Sequence, residues 1–237
     1  MEAQGVPRNR IIDGHVFKIP NLDFPRLLNE GIAYGTFENN FVTCESIPYS
    51  RQFEIKNSKT KLTLGENSYV GSFIIDDGIF RNGFISVNKF SSVAGYVNIE
   101  LGLNGDHNFK NVAQYASYRF GWGVPDKFLL PHESYKLLIG SDVWIGRGCF
   151  LKCNNSNKPL VIGDGAVIAS DSVVVKSVPP YAIVGGNPAQ VIKYRFPPDV
   201  IEALLRIKWW DWSLDKIHDN FKYFNDIEKF ITLHDRS

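Results

Sequence analysis

Isoleucine, valine or leucine recurs at every sixth residue in the second half of this chain, usually with glycine or another small residue directly after it. The run reads Ile139-Gly140, Ile145-Gly146, Leu151, then Ile162-Gly163, Ile168-Ala169 and Val174. A period of six matches neither the turn of an α-helix nor the alternation of an ordinary strand. It is the spacing of a parallel β-helix, in which a short strand and a turn make up each repeat. One aliphatic side chain points inward per repeat, and the small residues let the chain bend. The same beat appears at Val87, Val93 and Ile99, and starts with Leu64-Gly65 and Val70-Gly71.

Where the beat fails, the chain divides. Residues 1–60 are mixed and non-repetitive and carry no legible structure. Residues 61–195 form the solenoid, interrupted by the stretch Phe73–Gly83 and by a long excursion over 104–136. The excursion holds no hexad but many aromatics, among them Phe109, Tyr115, Tyr118, Phe120, Trp122, Phe128 and Tyr135. A long irregular segment inside a compact domain is usually functional, and its aromatics need something to pack on. Lys152–Leu160, with Asn154-Asn155-Ser156-Asn157, reads as a small polar loop pushed out at one corner. After Pro197-Pro198 the spacing becomes helical, so 196–237 is a helical region. Asp199 starts a first helix with Ile201, Leu204 and Leu205 on one face. Ser213 is a good N-cap for a second, with Ile217, Phe221, Phe224 and Phe230 or Ile231 as its apolar stripe. These helices are expected to cap the open end of the solenoid, because such arrays need a protected terminus.

Composition narrows the function classes. At 237 residues with a net charge of +1, the chain can bury a sizeable core and has no basic segment that points to nucleic acid. Met1–Gly31 lacks the continuous apolar run of a signal peptide, and no window is apolar enough to span a bilayer. The expected location is the cytoplasm, without membrane insertion. The three cysteines, Cys44, Cys149 and Cys153, make no C-x-x-C pair and no even framework, which suits a reduced compartment.

The ordered motifs Asp142-Val143-Trp144-Ile145-Gly146, Ile162-Gly163-Asp164-Gly165-Ala166, Val173-Val174-Val175-Lys176, Gly185-Gly186-Asn187-Pro188-Ala189 and Ile207-Lys208-Trp209-Trp210 resemble the hexapeptide-repeat xenobiotic acetyltransferases, the group of the chloramphenicol and streptogramin enzymes. The likeness reaches back through Lys89-Phe90-Ser91-Ser92-Val93-Ala94 and Asn104-Gly105-Asp106-His107, covering about residues 61–235. It implies an all-β fold, a left-handed parallel β-helix with the excursion loop and the C-terminal helical cap. It also implies a homotrimer with active sites between subunits. Acetyl-CoA would be the co-substrate, with direct transfer to a hydroxyl and neither metal nor covalent intermediate. The sequence departs from the resemblance at residues 1–60 and in the Asn-rich loop at 152–160.

Direct transfer needs a base near neutral pKa, which points to histidine. Of His15, His107, His132, His218 and His234, only His107 stands where the coils give way to the excursion, and it matches the family's catalytic histidine. Asn104 and Asp106 flank it as candidate walls of the acceptor site. Asp106 is one candidate to orient the imidazole, a backbone carbonyl or a side chain from another coil being the others. A backbone N–H at a hexad turn is a candidate donor to the oxyanion. Trp144 occupies the family's site-flanking position. Arg147, Ser170, Lys176 and Lys193 match its coenzyme-facing positions, the lysines as point charges toward phosphate. Cys149 is expected to be buried and inert, Cys153 to lie in the variable loop, and neither to act as a nucleophile. The acceptor expected is a sugar hydroxyl on a surface polysaccharide or glycan. An antibiotic of the chloramphenicol or streptogramin kind, or an amino-sugar nitrogen, is the alternative. A zinc enzyme on the same fold would need converging histidines, and the five here are too scattered.

Overall fold

A computed structural model describes residues 9–12, 15–18, 34–38, 41–45, 51–54, 60–76, 83–102, 112, 135–155 and 157–235. The first five strands are β1 (Asn9–Ile12), β2 (His15–Lys18), β3 (Tyr34–Glu38), β4 (Phe41–Glu45) and β5 (Arg51–Glu54). The coils follow with β6 (Lys61–Leu64), β7 (Tyr69–Asp76), β8 (Gly83–Val87), β9 (Ser92–Val93), β10 (Val97–Leu101), β11 (Tyr135–Ile139) and β12 (Trp144–Ile145). They continue with β13 (Phe150–Cys153), β14 (Leu160–Ile162), β15 (Val167–Ile168), β16 (Val173–Val174), β17 (Ala182–Gly186) and β18 (Ala189–Tyr194).

From β6 to β17 every strand pairs in parallel with the strand one coil away, and the hexad aliphatics fall into three vertical stacks. Val70, Val93, Ile145, Ile168 and Val184 stand in register on the first face. Ile75, Ile99, Leu151 and Val174 do so on the second. Leu64, Val87, Ile139, Ile162 and Val178 form the third. All are buried. Each stack packs against the other two inside a triangular tube, so the six-residue beat is the distance from one face to the next.

The small residue after each aliphatic has a different task from the one its sequence suggests. Gly65, Gly140, Gly146 and Gly163 open the corners, and none has a positive φ. A Cβ there would stand 2.5–2.6 Å from an atom of the next coil, at Asn88, Asp164, Ser170 and Pro180 respectively. Glycine is needed for close stacking of coils. The bend itself is made by left-handed residues further into each corner. In the first corner these are Asn67, Phe90, Asp142, Gly165 and Tyr181, one per coil. In the second corner they are Tyr96, Gly148 and Asp171. Only two of these eight positions carry the glycine that this conformation favours. Buried serines stitch the corners together: Ser68 Oγ donates to Asn88 O, and Ser91 Oγ donates to Gly140 O at 2.8 Å while accepting from Val143 N at 3.1 Å.

The front of the chain, which the sequence leaves unplaced, supplies strands that extend the solenoid antiparallel to it. The hairpin β3–β4 pairs through β4 with β7, and β5 pairs with β6. Val42 and Cys44 of β4 join the core. At the other end β18 folds back antiparallel on β17, with a register shift at Ile183/Val184, and covers the last edge. The stretch Phe73–Gly83, expected to break the beat, keeps its strand through Asp76 and resumes at Gly83.

The helices are α1 (Pro198–Ile207), α2 (Leu214–Asn220) and α3 (Ile227–His234). Ser213 caps α2 as expected, accepting from Lys216 N at 3.2 Å. The single long helix expected after it does not form. The chain passes into a short 3₁₀ turn at Phe221–Tyr223 and Asp226 starts α3 afresh, leaving Phe221 exposed and Phe230 buried. The helices share an aromatic cluster with the first corner. Tyr181, Leu204, Trp210 and Phe230 are buried in it, and Phe90 packs on it with its ring 4.9 Å from that of Trp209. Lys89 pairs with Asp211 at 3.1 Å, and Arg195 donates to Asp142 Oδ2 at 2.9 Å and to Gly165 O at 2.8 Å. These contacts run along the side of the solenoid, from its last coil back to its second. Among the described residues no helix is long and apolar enough to cross a membrane.

Candidate functional site

Strand alternation decides what Trp144 can do. Val143 and Ile145 turn inward and are buried, so Trp144 between them faces out and is 60% exposed. Its backbone N–H donates to Ala166 O at 2.9 Å, which fixes it one coil below Val167. The chain then enters the second corner, where the Arg147 guanidinium lies 4.7 Å over the ring of Tyr96. Arg147 O accepts from Asp171 N at 2.9 Å, and the missing Cβ of Gly146 lets Ser170 sit directly against this coil. Trp144, Arg147 and Ser170 are thus brought onto one outer edge, exposed, with the cation held over an aromatic face.

Lys193 belongs to the same sheet by a different route. Trp144, Val167, Ile183 and Lys193 are successive partners across β12, β15, β17 and β18. Three strand spacings put Lys193 about 14 Å from Trp144 along the sheet. Lys176 does not join them. It follows β16 at the third corner, between the second and third faces. His107, Asn104 and Asp106 lie outside the described residues, as does all of the excursion apart from Val112 and Tyr135–Lys136. Its root is described: Gly102 N donates to Cys153 O at 3.0 Å, which ties the point of departure to the third corner of the next coil.

That third corner holds a feature which sequence reasoning missed. The loop 154–159, between β13 and β14, and the turn after β16 enclose a half-open cleft of about 370 Å³. Lys152, Lys158 and Lys176 line it together with Asn154, Asn155 and Ser177. Asn155 Oδ1 accepts from Asn157 N at 2.9 Å and from Lys158 N at 3.1 Å, so the loop is shaped by its own side chain. Ser177 Oγ accepts from Val161 N at 3.0 Å and binds the turn to β14. Lys152 is paired with Glu100 at 3.1 Å, whereas among the described residues no carboxylate pairs with Lys158 or Lys176. Lysines six residues apart around an Asn-rich stretch were the available signal.

The thiols are not arranged for chemistry. Burial pushes Cys44 and Cys153 up to about 12. Cys149 is also raised, first by burial, and its Sγ donates to Ala169 O at 3.1 Å. Cys153, expected in the loop, is the last residue of β13 and buried. Deprotonation is what a nucleophilic thiol needs, and burial opposes it at all three.

A triangular coil of parallel strands with small-residue corners, an outer edge of Trp144, Arg147 and Ser170, and a long insertion from the third corner together define a hexapeptide-repeat acyltransferase. No family model matches the chain. A probable macrolide acetyltransferase from Lysinibacillus sphaericus is 39% identical over 141 residues, 57% of this chain and 74% of that protein. A chloramphenicol acetyltransferase from Klebsiella aerogenes is 52% identical over 80 residues, 34% of this chain and 36% of that enzyme. A galactoside O-acetyltransferase from Escherichia coli K12 is 37% identical over 60 residues, 25% of this chain and 27% of the enzyme. The chain belongs to the xenobiotic acetyltransferase group of the hexapeptide-repeat acyltransferases, whose co-substrate is acetyl-CoA. It spans about three quarters of the macrolide enzyme's length and about a third of the chloramphenicol enzyme's.

Proposed function

We propose that this protein transfers the acetyl group of acetyl-CoA directly to a hydroxyl, with His107 as general base. The single observation that carries the reading is the outer edge Trp144–Arg147–Ser170, built on the motifs by which the sequence resembles the acetyltransferase family. In the proposed step, His107 takes the proton from the acceptor hydroxyl as its oxygen attacks the thioester carbonyl. The C–S bond then breaks, and the coenzyme leaves as a thiolate that the protonated imidazole reprotonates. A corner N–H serves the oxyanion. Arg147, Ser170 and Lys193 serve the coenzyme along the first sheet and second corner, and Lys176 meets a phosphate. Asn104 and Asp106 wall the acceptor together with Trp144.

The active unit is proposed to be a homotrimer of left-handed coils with sites between subunits. The surface of β18 supports it, since Val191, Ile192 and Tyr194 are 46%, 64% and 47% exposed. Ile192 and Tyr194 fall on one face of that strand, and exposed apolar surface marks a place for a partner. A groove between subunits is also what would bring Lys176, on its own corner, near the edge that holds Arg147.

For the acceptor, the macrolide and chloramphenicol relatives weigh toward an antibiotic-like hydroxyl. The galactoside relative keeps a sugar hydroxyl as the second reading, and the exposed Trp144 face suits a sugar ring as well. The test is thiol release from acetyl-CoA against a panel of macrolides, chloramphenicol, streptogramin A, sugars and nucleotide sugars. His107→Ala should lower turnover on the acceptor found by about 100-fold or more, the usual contribution of a general base. Coenzyme binding should be kept. Undiminished turnover in the variant removes His107 from the mechanism.

A further inference from the structure

We propose that the loop 154–159 is a phosphate-recognising element, which with Lys176 receives the phosphomonoester of a ribose-sized ligand in the third-corner cleft. The inference rests on the preceding reading only in taking Lys176 to face phosphate; Lys152 and Lys158 are additional.

Charge selects the ligand class. Among the described residues three lysines line the cleft and no carboxylate does. Glu100 takes up most of the Lys152 charge at 3.1 Å. Lys158 and Lys176 therefore present about two positive charges, which suits a phosphomonoester carrying about −1.5 to −2 near neutral pH. A single carboxylate would leave one charge unmatched. Size agrees with this: about 370 Å³ is at the small end of ligand clefts, which run from about 300 to 1,000 Å³. It has room for a phosphate together with the sugar that carries it.

Geometry makes the site ready before the ligand arrives. The Asn155 side chain accepts from the backbone of Asn157 and of Lys158, so the backbone that carries Lys158 is held by a turn. Pro159 and β14 follow at once, and the Ser177 hydroxyl ties the facing wall to Val161. A lysine on a preshaped loop loses less freedom on binding than one on a loose loop. The cleft also adjoins the root of the excursion, because Gly102 donates to Cys153, the residue just before the loop. A phosphate held here is anchored beside that root.

Two ligands share this chemistry, the 3′-phosphate of the coenzyme and a phosphate on the acceptor. Isothermal calorimetry separates them without turnover. One arm compares adenosine 3′,5′-bisphosphate with adenosine 5′-monophosphate, and the other compares glucose 6-phosphate with glucose. In at least one arm the phosphate should tighten binding about tenfold or more, as expected for a hydrogen bond to a charged group. The preference should vanish in Lys158→Ala, survive in Lys158→Arg, and shrink as salt rises. The arm that shows it names the source. Equal binding with and without the phosphate in both arms, or a preference that Lys158→Ala retains, overturns the proposal. If the adenosine arm responds, the Michaelis constant for acetyl-CoA should rise about tenfold in Lys158→Ala, while that for acetyl-3′-dephospho-CoA stays unchanged. A protein that shows the phosphate preference yet transfers no acetyl group would sink the proposed function and leave the cleft standing. One that transfers acetyl without the preference would do the reverse.

Discussion

Gly163→Ala is the sharpest test of the claim that corner glycines serve coil stacking. Gly163 N donates to Val178 O at 2.9 Å, so its own backbone is fixed to the next coil. An added Cβ would stand 2.5 Å from Pro180 N and 2.8 Å from both Cα and Cδ of that residue. Pro180 has no way to retreat, because Tyr181 N donates to Asp164 O at 2.8 Å immediately after it. The corner must open, at the roughly 1–3 kcal/mol typical of overpacking. For a chain of this size that is about 2–12 °C off the thermal midpoint. The comparison is Gly95→Ala, where the nearest atom to a new Cβ is Ser72 Oγ at 3.4 Å and φ is not positive. There the lower entropy of the unfolded chain should leave stability unchanged or raise it by up to about 1 kcal/mol. Both would be melted by circular dichroism at one protein concentration, since assembly shifts the apparent midpoint. If Gly163→Ala melts with the parent while Gly95→Ala falls, the stacking argument is wrong.

Cys153 predicts an alkaline weakness. Its folded value of about 12 lies above the ordinary value near 9, so the unfolded chain loses this proton first and stability falls as pH rises from about 9 toward 12. The slope contributed approaches about 1.4 kcal/mol per pH unit, and urea titrations of Cys153→Ala against the parent should show that much flatter a decline. Arg195→Ala leaves the Asp142 carboxylate and Gly165 O without their shared donor. It should cost about 1–3 kcal/mol and speed amide exchange in α1 and α3 more than in β12, and uniform exchange would contradict the clasp. Light scattering should give the mass of a trimer, and replacing Ile192 with Glu should shift that mass downward; a monomeric parent that is fully active refutes the intersubunit site.

The sequence made the coils legible because a β-helix repeats one demand, an inward aliphatic every sixth residue, and the three registered stacks meet it at Val70, Ile99 and Ile139 alike. What remained hidden had no periodic cause. Strand β4 adds to the solenoid through backbone pairing with β7, which needs no hexad; Val42 and Cys44 are its buried apolar residues among the described side chains. The break between α2 and α3 escapes an apolar-stripe argument because Phe221, Phe224 and Phe230 continue the spacing. The Asp226 side chain, accepting from Lys229 N at 3.1 Å, ends that continuity. At the site, Trp144 on an outer edge follows from strand alternation alone. That Lys176 stands apart from Arg147 does not, since six-residue spacing gives the face of a residue only once every corner has been placed. Lys158 was missed because a loop has no period, and its convergence with Lys152 of β13 depends on the turn made by Asn155.

The chain leaves the described coils for its longer connections only at the third corner, after β7, after β10 and after β13, while the first corner is clasped by helices and the second is short in each coil. The arrangement separates two kinds of change over evolutionary time. Lengthening a segment at the third corner leaves all three aliphatic stacks in register, and each doubling of loop length adds only about 0.6 kcal/mol of closure entropy. The same number of residues added at the first corner would displace Phe90 or Tyr181 from the helices that hold their left-handed backbones. One edge of the molecule is therefore free to acquire new recognition segments, and the other two keep the rungs aligned while it does so.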